Sequence, residues 1–126
     1  MGTEDNKKNL IRWMETFNNG DLAVIDRLAD EMFPPTWISH TPSFPDQPHD
    51  REGWKQMIHA IFADYPDFHF TIEDLIAEGD KTVARGNYLG THAVSKEPYN
   101  QQFIGMSRWS EGKIVEVWEL MVPGAW

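Results

Sequence analysis

Residues 66–92 read PDFHFTIEDLIAEGDKTVARGNYLGTH, and within them the hydrophobic period changes. Phe68-His69-Phe70-Thr71-Ile72 alternates apolar and polar side chains, the pattern of a half-buried strand. Glu78-Gly79-Asp80-Lys81 is a turn, and residues 82–92 form a second long strand in which Gly86 and Gly90 mark bulges or bends. A loop holding Pro98 follows. Phe103 to Ser110 is a third strand, Glu111-Gly112 a tight turn, and Lys113 to Val122 a fourth strand. The C-terminal half is therefore predicted to be a run of antiparallel hairpins.

Upstream the period is helical. Residues 5–17 place Leu10, Trp13, Met14 and Phe17 on one face, with charges opposite. Asn18-Asn19-Gly20 ends that helix, and Asp21 is a good N-cap for a second one that buries Leu22, Ile25 and Leu28. Pro34-Pro35 stops it. Trp37 to His40 is a short extended segment, and residues 41–49, with Pro42, Pro45 and Pro48, are a loop. Asp50 caps a third helix running to about Asp64, with a stripe of Trp54, Met57, Ile58, Ile61 and Phe62. Helices first and hairpins last argue an α+β fold in which the helices cover one face of a sheet. With 126 residues, no internal repeat and no linker, residues 1–126 read as a single domain.

Composition narrows the partners. The chain has no cysteine, which excludes disulfides, thiolate nucleophiles and cysteine metal sites. Eleven Lys and Arg against 20 Asp and Glu give a net charge of -9 with no basic run, so neither nucleic acid nor an anionic membrane is an expected partner. No apolar run is long enough for a membrane helix, and the polar start MGTEDNKK is unlike a secretory signal. Asn6 breaks the myristoylation pattern that Gly2 would begin. A cytoplasmic location is the expectation. Five scattered His carry no metal-ligand spacing, and neither a Gly-rich phosphate loop nor a Gly-x-Ser-x-Gly elbow is present. Six Trp, seven Phe and three Tyr, 13% of the chain, suit a core rich in rings, some of which could line a pocket.

The stretch 66–92 resembles the SnoaL-like polyketide cyclase family of the nuclear transport factor 2-like superfamily. So do SRWSEGKIVEVWEL (107–120), ETFNNGDLAVIDRLADE (15–31) and His40-Thr41-Pro42. The resemblance runs in order along nearly the whole chain. It implies a cone in which three N-terminal helices pack on a curved antiparallel sheet and close a cavity. It also implies a homodimer paired through the outer sheet face. Its cyclases close a polyketide ring by intramolecular aldol condensation without metal or organic cofactor. A carboxylate directly after the Trp of the last strand serves as their general acid/base; here that position is Glu119, where the cyclases have Asp. They also use an imidazole from the preceding strand, where this chain has Phe103-Ile104-Gly105-Met106.

On a strand, Val115, Val117, Glu119 and Met121 share one face, which makes Glu119 a lone carboxylate among apolar side chains. Desolvation there raises a carboxyl pKa toward the range of a general base. On the opposite face Glu116 is expected to pair with Arg85 or Arg108. His40, at the cavity mouth by the resemblance, and His92, ending Gly90-Thr91-His92, are candidates to polarise a substrate carbonyl. His69 alternates with Phe68 and Phe70, and its face is open. Trp13 and Phe17 lie four apart and could roof the cavity, although core packing is the commoner explanation of that spacing. Trp37, Tyr88, Phe103, Met106, Val117 and Trp118 are further wall candidates, while Trp54 reads as core. The expected function is cofactor-free acid/base chemistry, of cyclase or isomerase type, on a small hydrophobic carbonyl compound. Binding without turnover and a dimeric assembly module are the other readings.

Overall fold

A computed structural model describes residues 2–126. The first helix, α1 (Thr3–Asn18), buries Leu10, Trp13 and Phe17 along one face, the stripe that the helical period defines. It ends where Gly20 takes a φ of +73°, a left-handed conformation that a Cβ would disfavour. The side chain of Asp21 accepts from the N–H groups of Ala23 and Val24 and so starts α2 (Leu22–Met32), which buries Ile25, Leu28, Ala29 and Met32. Asp50 likewise accepts from the Gly53 N–H at 2.7 Å and caps α3 (Arg51–Asp64).

Five strands follow the order β1-β5-β4-β3-β2: β1 (Ile38–His40), β2 (His69–Glu78), β3 (Lys81–Thr91), β4 (Pro98–Ser110) and β5 (Lys113–Pro123). Strands β2 to β5 are antiparallel neighbours, as the hairpin turns require. The sheet as a whole is mixed rather than antiparallel, because β1 lies parallel to β5. No tight turn joins these two strands, so nothing forces them into opposite directions. Strands β2 and β4 also outrun their alternating stretches. Pro98 opens β4, a position where a missing N–H is tolerated.

Two bulges explain the rest. One falls between Ile72 and Asp74 on β2. Gly86 stands opposite it, and a Cβ there would sit 1.7 Å from the Thr71 carbonyl oxygen. The other falls between Arg108 and Trp109 and shifts the phase of β5. Ile114, 2% exposed, therefore joins Val117, Glu119 and Met121 on the inner face, and Val115, expected there, does not.

The helices lie on that inner face. Phe17 is the hub, with its ring 5.4 Å from Phe62 and 5.3 Å from Phe70. One residue on, Asn18 ties α1 to edge strand β2: its amide donates to the Phe70 carbonyl at 2.8 Å and accepts from the Phe70 N–H at 2.9 Å. Among the described residues no helix is long and apolar enough to cross a membrane. Asn18→Leu leaves both Phe70 backbone groups without their partner, and is expected to lower stability by about 2 kcal/mol or more. Urea denaturation at neutral pH measures this, and an unchanged midpoint would contradict it.

Candidate active site

Between the helices and the inner sheet face lies a cavity of about 160 Å³. Its floor is set by the strand register. Across β5 and β4, Val117 pairs with Ser107, Glu119 with Gly105, and Met121 with Phe103. Gly105 pairs in turn with Ala84 on β3. The row that carries Glu119 is thus made of small residues, and the carboxylate has room to stand in the cavity. A Cβ added at Gly105 would lie 3.4 Å from Glu119 Oε2.

Tyr88, from β3, donates its hydroxyl to Glu119, at 3.1 Å from Oε2 and 3.3 Å from Oε1. Its ring packs 4.7 Å from that of Phe103. What remains accessible of Glu119 faces the cavity, where neighbours such as Val117, Met121, Phe103 and Ala84 offer its charge little solvation. Burial pushes its pKa up to about 7, with the Tyr88 hydrogen bond acting weakly the other way. Burial and the nearby Glu119 charge raise the Tyr88 hydroxyl well above its ordinary value, so it stays a neutral donor. Tyr99, also on the wall, is raised by burial, then by Tyr65 and Glu119.

Several expected residues meet here. Trp13 and Phe17 form part of the roof, and Trp37, Tyr88, Phe103 and Val117 line the walls with Glu119. Others are carried away by strand alternation. His40, Trp118 and Met106 form one register row on the outer face, so Trp118 and Met106 are not cavity walls. His40 donates through Nε2 to Glu116 at 2.7 Å and stacks on Trp118, with ring centroids 5.5 Å apart. Glu116 takes its arginine from Arg108, at 3.2 Å, while Arg85 pairs with Asp74. The His40 hydrogen bond and then Arg108 hold the Glu116 carboxyl below its usual range.

His92 does not reach the cavity either. Its Nδ1 accepts from the N–H groups of Val94 and Ser95, both at 3.2 Å, and its ring stands edge-on to Tyr65. His69 donates to the Asp67 carbonyl at 2.8 Å and points away from the cavity. Trp54, read as core, lines the cavity instead, with its ring 5.4 Å from Trp13. The polar side chains Ser39, Thr41 and Gln47 also line the cavity, and no local sequence pattern marks them for it. Ser39 alternates with Ile38 and His40 and pairs with Val117, a signal visible only once β1 is placed beside β5.

Three helices packed on one face of a five-stranded sheet match the ketosteroid isomerase-like fold. A protein of that fold from Catenulispora acidiphila, solved with trimethylamine, superposes with a TM-score of 0.72 at 14% identity, over 88% of this chain and 82% of that one. The description of the SnoaL-like polyketide cyclase family matches residues 8–121, and the chain belongs to that family. IdmH from Streptomyces antibioticus, a candidate polyketide cyclase, is 28% identical over 92% of this chain and 91% of its own, with a TM-score of 0.78. A candidate polyketide cyclase from Bacillus cereus is 26% identical over 93% of this chain and 74% of its own, with a TM-score of 0.74. No curated protein sequence matches the chain.

The raised pKa has a thermodynamic signature. Between the usual carboxyl value and about 7 the folded state holds a proton that the unfolded state has lost, so stability falls as pH rises through that window. Glu119→Gln removes the effect. The variant is expected to match the wild type near pH ~4 and to exceed it by roughly 3 kcal/mol above pH ~8. Thermal or urea unfolding across that range measures the difference, and parallel pH curves would contradict it.

Proposed function

We propose that the protein catalyses cofactor-free proton transfer beside the carbonyl of a small hydrophobic compound, with Glu119 as general base and acid. The observation that carries this is a lone carboxylate, poised near neutrality, in an apolar cavity. The C–H bond next to the carbonyl breaks and its proton passes to the Glu119 carboxylate. The electron pair becomes a C=C bond and the carbonyl oxygen takes the charge. Glu119 then returns the proton, to oxygen as an enol or to another carbon as an isomer. Where a second carbonyl lies within the same molecule, the enolate carbon attacks it before that return, the C=O π pair moves onto the second oxygen, and this oxygen takes the proton from Glu119 as the ring closes, the aldol outcome of the family. Every proton and electron is accounted for without a co-reactant. Tyr88 holds the carboxylate in place and lowers its pKa slightly.

The test is deuterium uptake from D2O at the α-carbon of small ketones such as cyclohexanone, followed by NMR. Uptake is expected to rise with pH and to level off above about 7, because the base must be ionised. Glu119→Gln is expected to slow it by roughly a hundredfold or more. Tyr88→Phe, which removes the hydrogen bond, is expected to move the pH midpoint upward. A Glu119→Gln variant as active as the wild type would refute the proposal.

The outer sheet face supports a second proposal, a homodimer. Ile76, Ile104, Leu120 and Val122 are 65%, 42%, 55% and 53% exposed there. The Arg85–Asp74 and Arg108–Glu116 pairs give the same face both signs of charge, so a second copy turned about a two-fold axis meets complementary groups. Sedimentation at micromolar concentration is expected to show a dimer that Leu120→Glu dissociates, and a monomeric wild type would overturn this.

A further inference from the structure

A cavity of about 160 Å³ is small for a ligand site. Pockets for drug-sized molecules run from roughly 300 Å³ upward, and an apolar cavity of about 150 Å³ holds one benzene. The walls suit a flat molecule. Trp13 of α1 and Trp54 of α3 line the cavity on the helix side and Phe103 on the sheet side, while Phe17 and Phe70 touch each other with ring centroids 5.3 Å apart. Charge is confined to one place. Glu119 is the one charged residue among those lining the cavity, and Tyr88 on β3 and Tyr99 on β4 are the other titratable ones. Helices α1 and α3 present none, and Ser39, Thr41 and Gln47 are uncharged. The Tyr88 hydroxyl proton is already committed to Glu119. An ionised carboxylate offers about four lone-pair directions, so it can accept a second donor from the cavity.

We infer that the cavity takes a single planar ring bearing one hydroxyl, seated with its O–H donated to Glu119 and its ring between the aromatic walls. In chemical terms this is the enol of a monocyclic ketone, for which a phenol is a stable mimic. The inference rests on the proton-transfer reading of the same cavity, since an enol hydrogen-bonded to Glu119 is the state reached once the base has moved the proton from carbon to oxygen. A multi-ring substrate exceeds the cavity volume of about 160 Å³.

Phenol, toluene and 2-naphthol test it, each titrated into the protein at about pH 8, where Glu119 is ionised and phenol, with a pKa of about 10, is neutral. Binding is read from the indole resonances of Trp13 and Trp54 and from calorimetry. Phenol and toluene are alike in size, so their ratio isolates the hydroxyl. Phenol is expected to bind about tenfold more tightly than toluene, the increment of a hydrogen bond to a charged acceptor. The ratio is expected to shrink toward unity in Glu119→Met and, with no substitution at all, to fall in the wild type at about pH 5.5, where Glu119 is protonated. The second ring of 2-naphthol is expected to cost at least about tenfold relative to phenol despite its greater hydrophobicity. Equal affinity for phenol and toluene, or tighter binding of 2-naphthol than of phenol, overturns the inference. None of these ratios involves turnover. They can fail while α-carbon exchange still depends on Glu119, and they can hold while exchange is absent.

Discussion

Two hydrogen bonds from the Asn18 side chain set the height of the whole structure. Strand β2 is an edge, and the Phe70 N–H and C=O would otherwise look for a neighbouring strand. The amide supplies both partners at once and thereby fixes the last turn of α1 against the sheet. Everything above the sheet is referenced to that contact. Phe17, one residue earlier, is set among Phe62, Phe68 and Phe70, and Trp13, one turn back, is held against Trp54. The gap that these rings leave above Gly105 and Ala84 is the cavity.

The floor of that gap shows how a strand can give two carboxylates opposite characters. Glu116 and Glu119 lie three residues apart on β5, so they face opposite sides of the sheet. Outside, Glu116 meets His40 and Arg108 and its charged form is favoured. Inside, Glu119 meets apolar walls and the neutral Tyr88 hydroxyl, and its charged form is disfavoured until about pH 7. His40, His92 and His69 are likewise engaged away from the cavity. They are engaged as a partner of Glu116, as a brace for the turn after β3, and as a donor to the Asp67 carbonyl. Acid/base capacity inside the protein therefore falls to Glu119, and the tyrosine beside it controls where it points.

Much of this is legible in the amino-acid sequence alone. Asp21 and Asp50 cap as their positions suggest, Gly20 ends α1, and the apolar stripes face the sheet, because capping and periodicity are local properties. Glu119 stood out because alternation over 117, 119 and 121 is regular. What escaped is non-local. The bulge at Arg108/Trp109 reversed the phase at 114 and 115, and a bulge is decided by pairing with another strand. Trp118 and Met106 looked like walls because their side chains suit one, yet parity sends them outward. The link from Tyr88 to Glu119 spans 31 residues and crosses β4, and the polar lining at Ser39, Thr41 and Gln47 depends on β1 running parallel beside β5.

The small residues around Glu119 bear on how such a protein diversifies. The sheet is joined by backbone hydrogen bonds, and these are indifferent to the side chains that happen to project from it. Ala84, Gly105 and Ser107 project inward from strands whose register is secured elsewhere, by turns, by bulges and by Trp109 on Thr82. Exchanges at these three positions can fill, divide or recontour the chamber while the frame stays put. The scaffold thereby separates the inheritance of its shape from the inheritance of its chamber's contour, and a lineage can explore the second with little risk to the first.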